Sequence, residues 1–312
     1  MDNLLIKTMP AKAENFKTLQ KSCLHMAQWA PQSCVNKNIG GMEQWAKDLK
    51  IVDDKILSCD WYHSTWQFLR LVNMVAVPDW YPFYVDAILE VLLENPNAKV
   101  FISACADYGM LAKLHEAMEE YQFKTGQKSN PQITIADICL TPLQNAKWYA
   151  DNSSIKLETL VCDNIILGNF PESEFDLIIT DEFLSVIKDD LKQAVVDKWK
   201  YLLKPGGCVV TTAMEGEPTT PEKREFYAQK ARRLIGQNPH LFPTNFKQED
   251  FEKVIQQTEK FASLHTRHMI RNREQLTHLF RNFDYLQMDP VETPGECVNP
   301  TFSYQIVAKL EM

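Results

Sequence analysis

From Ala98 onward, short β-rich apolar runs alternate with helical segments, and this alternation restricts the chain to a parallel sheet covered by helices. Runs at 99–105, 132–138, 156–162, 175–180 and 208–214 read as strands, with helices at 109–124, 141–150 and 189–202 between them. The strand runs are mostly uninterrupted, as expected for strands buried on both faces. The segment Leu203-Lys204-Pro205-Gly206-Gly207 reads as a helix end turning sharply into the fifth strand, proline stopping the helix and glycine supplying positive φ. Helical periodicity returns at 221–234 and 248–264, and strand patterns at 284–288 and 303–310. The loop between these last strands carries Pro290, Pro294, Gly295 and Pro300 and predicts an antiparallel hairpin, for a seven-stranded sheet in all.

The residues before this core read differently. Apolar residues at helical spacing over 14–30, 41–50, 61–75 and 81–94, punctuated by Pro10, Pro31, Pro78 and Pro82, predict helices with little strand signal. The chain therefore divides into a helical region over 1–97 and an α/β core over 98–312 with a helical insertion at 215–273.

Composition narrows the function. A chain of 312 residues with 45% hydrophobic residues fills a sizeable core, and a net charge of −8 disfavours a polyanionic partner, so no nucleic acid is expected. The arginine-containing run at 267–273 reads as a solvated helix end. Eight cysteines are scattered singly without paired spacing, so no metal centre is expected, and His265 and His268 read as a helix end. No apolar stretch approaches a membrane span or a secretory signal, which predicts a cytoplasmic protein without a membrane partner.

Several motifs fall at predicted strand ends. The first strand runs into the turn Ser103-Ala104-Cys105-Ala106-Asp107-Tyr108-Gly109. The second ends in Asp137, followed by Ile138; a carboxylate there can accept both hydrogen bonds of a ribose diol, with an apolar neighbour for the base. The third ends in Asp163 and Asn164, and the fourth in Thr180, Asp181 and Glu182, where a buried carboxylate can serve as a general base.

In this order and spacing, the motifs resemble the class I (Rossmann-like) S-adenosylmethionine (SAM) dependent methyltransferases. The resemblance implies a Rossmann-like methyltransferase sheet with SAM as cofactor. It implies that Ser103, Ala104, Cys105 and Tyr108 hold the methionine part and Asp137 and Ile138 the ribose and adenine. Asp163 and Asn164 would contact the adenine edge, with Thr180 at the family's fourth motif. The chain departs from the family in the first turn: only Gly109 keeps its glycine, Cys105 and Asp107 stand where two earlier glycines usually are, and Ser103 stands near the place of an acidic residue.

Helices ahead of such a core commonly fold over the cofactor as a lid. The segment 60–70 is dense in polar aromatic residues, and Tyr62, Trp66 and Arg70 share one helical face, with His63 on a neighbouring one. Trp66 and Tyr62 would flank a sulfonium by cation–π attraction, Arg70 would pair with a substrate carboxylate, and His63 would accept a proton. Asp79-Trp80-Tyr81 adds a second aromatic cluster, with Tyr81 a substrate contact. His63, Tyr62, Asp181 and Glu182 are thus the candidate catalytic residues. The resulting expectation is a methyltransferase acting on a small-molecule acceptor. Two alternatives stand beside it: a SAM-consuming enzyme that cyclises the aminobutyrate arm to azetidine-2-carboxylate and releases methylthioadenosine, and a catalytically inactive SAM-binding module. Oligomeric state is left open.

Overall fold

In a computed structural model, the described residues are 13–34, 60–75, 77–217, 219–265, 267–293 and 302–312. Among the described residues three α-helices precede the sheet: α1 (Ala13–Ser33), α2 (Asp60–Leu71) and α3 (Phe83–Glu94). Then β1 (Lys99–Ser103), α4 (Gly109–Thr125), β2 (Gln132–Asp137), α5 (Leu140–Ser153), β3 (Thr159–Cys162), β4 (Phe175–Ile179), α6 (Asp189–Leu202) and β5 (Leu203–Glu215) follow. The chain ends with α7 (Pro221–Gln237), α8 (Gln248–Leu264), α9 (Arg273–Leu279), β6 (Tyr285–Val291) and β7 (Phe302–Lys309). The helix expected at 41–50 and the loop residues 294–301 lie outside the described residues.

The strands form one seven-stranded sheet in the order β3-β2-β1-β4-β5-β7-β6. The first five are parallel, and β7 runs antiparallel between β5 and β6. This is the α/β Rossmann-like arrangement expected from the sequence. Because β1 pairs with both β2 and β4, the crossovers leave in opposite directions on either side of it. The carboxyl ends there open a crevice, the usual ligand position in open α/β sheets.

The central strands β1, β4 and β5 are largely apolar because both of their faces are covered, whereas the edge strands β3 and β6 are partly exposed. Val100 and Ile102, Leu177 and Ile179, and Cys208 and Val210 enter one hydrophobic cluster, whereas Phe101, Ile178 and Val209 enter the other. The first cluster also takes in Cys23, Trp61, Trp66 and Leu69. The described amino-terminal helices therefore share one continuous core with the sheet, and with Phe242 and Phe261 from the insertion.

Local chemistry explains where elements begin and end. Helix α2 stops at Leu71, short of the expected 75, because Asn73 takes a left-handed φ of 58°. Helix α3 starts at Phe83 with Pro82 as its N-cap, after a short 3₁₀ turn, Pro78–Trp80, in place of a helix beginning at 81. The largest correction concerns residues 203–207, expected as a turn. Leu203 already pairs with Phe175, so β5 begins as α6 ends, and the glycines sit in a register irregularity of the ladder. Gly206 has φ 81°, and a Cβ on Gly207 would lie 2.9 Å from the Lys204 carbonyl oxygen.

A buried ion pair joins the helical cover to the sheet. Arg70 donates to Asp107 Oδ2 at 2.6 Å, their side chains being 4% and 5% exposed, and to the half-exposed Asp79 at 2.6 Å. Removing one member of a buried pair strands a charge in the interior, at a cost of roughly 3–5 kcal/mol. Arg70→Met should therefore destabilise the chain by an amount in that range, measured by urea denaturation; a change within experimental error would place no weight on the pair.

Candidate active site

A cavity of about 250 Å³ lies over the carboxyl ends of β1 to β4. Its floor is the first turn (Ala104 to Asp107), the end of β2 (Ala136 to Cys139), the end of β3 (Asp163 to Ile166) and the segment after β4 (Asp181 to Phe183). Its roof is α2, through Trp61, Tyr62, His63 and Trp66, and the end of α8 with the chain after it, through Leu264, His265 and Arg267.

The first turn shows how a chain with one glycine makes this approach. The left-handed residue is Ala104, with φ 60°, and its N–H donates to the Ala136 carbonyl oxygen at 2.8 Å. Neither Cys105 nor Asp107, which replace the earlier glycines, takes that conformation. Instead Asp107 Oδ1 accepts the Gly109 N–H at 2.6 Å, capping the entry to α4 while its other oxygen holds Arg70. A Cβ on Gly109 would lie 2.9 Å from Asp107 Oδ1 and 3.2 Å from Pro78, so a side chain there would push against this cap.

At the end of β2, Asp137 is drawn in by two backbone donors, the N–H of Cys105 at 2.9 Å and that of Cys139 at 2.7 Å. Burial nevertheless pushes its carboxyl up to about 7, with Cys139 adding to the shift and His63 opposing it. Asn164, after β3, accepts the backbone N–H groups of Ile166 and Leu167 and so shapes the wall beside Asp163.

Asp181 and Glu182 form an acidic pair under the same roof. Asp181 Oδ1 accepts from the Tyr84 hydroxyl at 2.9 Å and the Thr212 hydroxyl at 2.7 Å. Glu182 has a left-handed φ of 52°, and its Oε2 accepts from Ser185 at 2.6 Å and from the Met214 N–H at 2.8 Å. Burial, with the neighbouring Glu182 charge, pushes Asp181 up to about 7, and burial also raises Glu182.

The roof is aromatic. Tyr62 stacks on Trp66 with ring centroids 5.1 Å apart and lies 5.6 Å from His265. Burial drives the Tyr62 phenol far above its ordinary value, so it stays protonated, and burial with Arg267 nearby drives His265 well down, so it stays neutral. For His63, burial disfavours the charged form but Cys139 and Asp137 outweigh it, and the net direction is upward. Three cavity-lining residues carry a buried polar atom without a hydrogen-bond partner: His63 Nδ1, Trp66 Nε1 and Glu182 Oε1.

The structure thus brings together eleven of the sequence candidates: Tyr62, His63, Trp66, Ala104, Cys105, Asp137, Ile138, Asp163, Asn164, Asp181 and Glu182. Five others do not line the cavity. Arg70 is held by Asp107 and Asp79; Ser103 faces away and accepts from Trp199 Nε1 at 2.8 Å; and Tyr81 donates to Ser303 at 2.8 Å. Tyr108 stacks on Tyr149 at 4.7 Å, and the Thr180 carbonyl oxygen accepts from Tyr84 at 2.9 Å. Sequence reasoning missed Cys139, His265 and Arg267 as lining residues. Arg267 belonged to a run read as solvated, yet its Nη1 lies 3.0 Å from Met214 Sδ. The cysteine spacing gave no metal centre; among the described residues Cys34, His63 and Cys139, distant in sequence, place their ligand atoms within 4.8 Å of one another.

No family model matches the chain, and no curated protein matches it. Among solved structures it is similar to a SAM-dependent methyltransferase of Methanosarcina mazei (16% identity, 70% of this chain and 94% of that one, TM-score 0.43). It is also similar to the N-methyltransferase NodS of Bradyrhizobium japonicum in complex with S-adenosyl-L-homocysteine (14%, 80% and 99%, 0.43). A third is TehB of Haemophilus influenzae (13%, 79% and 67%, 0.45). At these identities and scores, the functional reading rests on this chain's own strand order and cavity. Among the described residues no helix is long and apolar enough to cross a membrane.

The acidic pair makes a stability test. The folded chain keeps on Asp181 a proton that the unfolded chain releases near the ordinary carboxylate value, so stability falls as pH rises from that value through about 7. Melting temperatures between pH 5 and pH 8 should therefore decline less steeply in Asp181→Asn than in the native chain. Parallel profiles would show that the carboxyl is not perturbed.

Proposed function

We propose that the protein is a SAM-dependent transferase that moves a methyl group to a small-molecule acceptor inside the cavity. The observation that carries this reading is the set of orphaned polar atoms on His63, Trp66 and Glu182, grouped in one cavity at the carboxyl edge of the sheet. Nine such atoms occur among the described residues, and the three that group around this one cavity fit a polar ligand that satisfies them.

The walls fit this ligand part by part. Asp137 and Asp163 end adjacent parallel strands, a spacing suited to a ribose diol and to the edge of a purine, while Ile138, Ile165 and Ile166 supply apolar surface for the base. Ala104 and Cys105 face the methionine portion, and Tyr62 and Trp66 supply π faces for the sulfonium. SAM, when bound, supplies an activated methyl electrophile. The chain's own task is then to orient an acceptor, exclude water and remove a proton. Asp181 and Glu182 suit the last role: both are buried, both titrate above the ordinary carboxylate range, and Glu182 Oε1 is without a partner. Tyr62, held protonated, orients rather than accepts.

SAM or S-adenosylhomocysteine should raise the melting temperature by mass action, whereas NAD should not; stabilisation by NAD alone would reverse the reading. Asp137→Ala should weaken SAM binding by about 1.5–3 kcal/mol in calorimetry, the range for a hydrogen bond to a charged group. Turnover should rise with pH through about 7 and lose that rise in Asp181→Asn. The product identifies the chemistry: S-adenosylhomocysteine is expected, methylthioadenosine would mean cyclisation of SAM, and tight binding without either would mean an inactive module.

A further inference from the structure

Cys34, just past the end of α1, His63 on α2 and Cys139, the N-cap of α5, come from three separate elements and are all buried. Their ligand atoms lie within 4.8 Å of one another. Cys34 Sγ and Cys139 Sγ are 3.5 Å apart. Two Zn–S bonds of about 2.3 Å at a tetrahedral angle hold their sulfurs about 3.7 Å apart, so the thiols stand close to the spacing that the metal needs. Behind them, Thr141 Oγ1 lies 3.0 Å from Cys34 Sγ and 2.5 Å from Ser33 Oγ. This hydroxyl pair gives the sulfurs a polar backing, as outer hydrogen bonds commonly do at metal sites. A second observation points to a ligand: His63 is 6% exposed and its Nδ1 has no partner.

We propose that Cys34, His63 and Cys139 bind a zinc ion. Thiolate and imidazole together form a soft-to-borderline donor set that suits Zn²⁺ and not Mg²⁺ or Ca²⁺. On binding, the two thiols become thiolates and release two protons to solvent, and the imidazole binds in its neutral form. Three protein ligands leave the fourth tetrahedral position open. Because His63 and Cys139 line the cavity while Cys34 does not, that position faces the cavity, where water or a heteroatom of the acceptor completes the shell. The ion would also clip α1 and α2 to the end of β2, fixing the roof over the floor. The proposal shares His63 and the cavity with the SAM reading, but its donor set and its test need no SAM.

The test uses the full chain, kept reduced with a phosphine and stripped of metal by a chelator. Zinc chloride titrated in competition with a chromophoric chelator should bind at one equivalent and raise the melting temperature, with magnesium chloride doing neither. Cys34→Ser and Cys139→Ser should each lose this binding. Should either variant fail to fold, cobalt(II) added to the native chain gives an independent readout: thiolate ligation produces an intense near-ultraviolet charge-transfer band, and its absence overturns the proposal. Zinc binding that survives both substitutions overturns it too. So does a Cys34–Cys139 disulfide found by peptide mapping of freshly purified, unreduced protein, since its sulfurs could not ligate. Stabilisation by SAM is measured on the metal-free chain, so the two readings fail separately.

Discussion

The Arg70–Asp107 ion pair is the contact on which the site's geometry depends. Asp107 stands in the first turn of the sheet and Arg70 on the helix that roofs the cavity, so this pair of charges ties the roof to the floor. Burying two charges is costly, and the cost is offset only where the remaining donors and acceptors are also satisfied. Here they are: Asp107 takes the Gly109 N–H with its second oxygen, and Arg70 takes Asp79 with its second nitrogen and lies 5.2 Å from the Tyr108 ring centroid. An aspartate anchored from both sides fixes the turn by hydrogen bonding, where glycine would permit it by conformational freedom.

Above that anchor the cavity combines buried acids and aromatics. Burial raises the carboxyls of Asp137 and Asp181, and the low dielectric around buried groups strengthens the charge interactions they make. The left-handed backbone at Ala104 and Glu182 falls on the cavity wall in both cases. Strain at such positions persists where surrounding contacts over-determine the backbone, as the hydrogen bonds of Glu182 to Ser185 and Met214 do.

Much of this was legible in order along the chain. The alternation of strand and helix patterns from Ala98 defined the parallel sheet, since strands covered on both faces are apolar at most positions. Strand-end carboxylates at Asp137, Asp163 and Asp181 could be placed because the carboxyl edge of such a sheet is where ligands sit. Tyr62, His63 and Trp66 were found from helical spacing and polar aromatic density, together with the lid that the family resemblance implied.

Residue type and spacing determined which groups were available, and tertiary structure decided which of them face one another. Arg70 looked like a substrate clamp, but its partner came from the first turn of the sheet, far along the chain. Cys34 and Cys139 are 105 residues apart, so no local spacing could mark them as neighbours, and Arg267 carried the pattern of a solvated helix end until packing of the insertion turned it inward. Periodicity reports which face of an element is apolar, because burial acts on each residue separately. The pairing of polar groups depends on how distant elements dock, and that is set by the packing of the whole core.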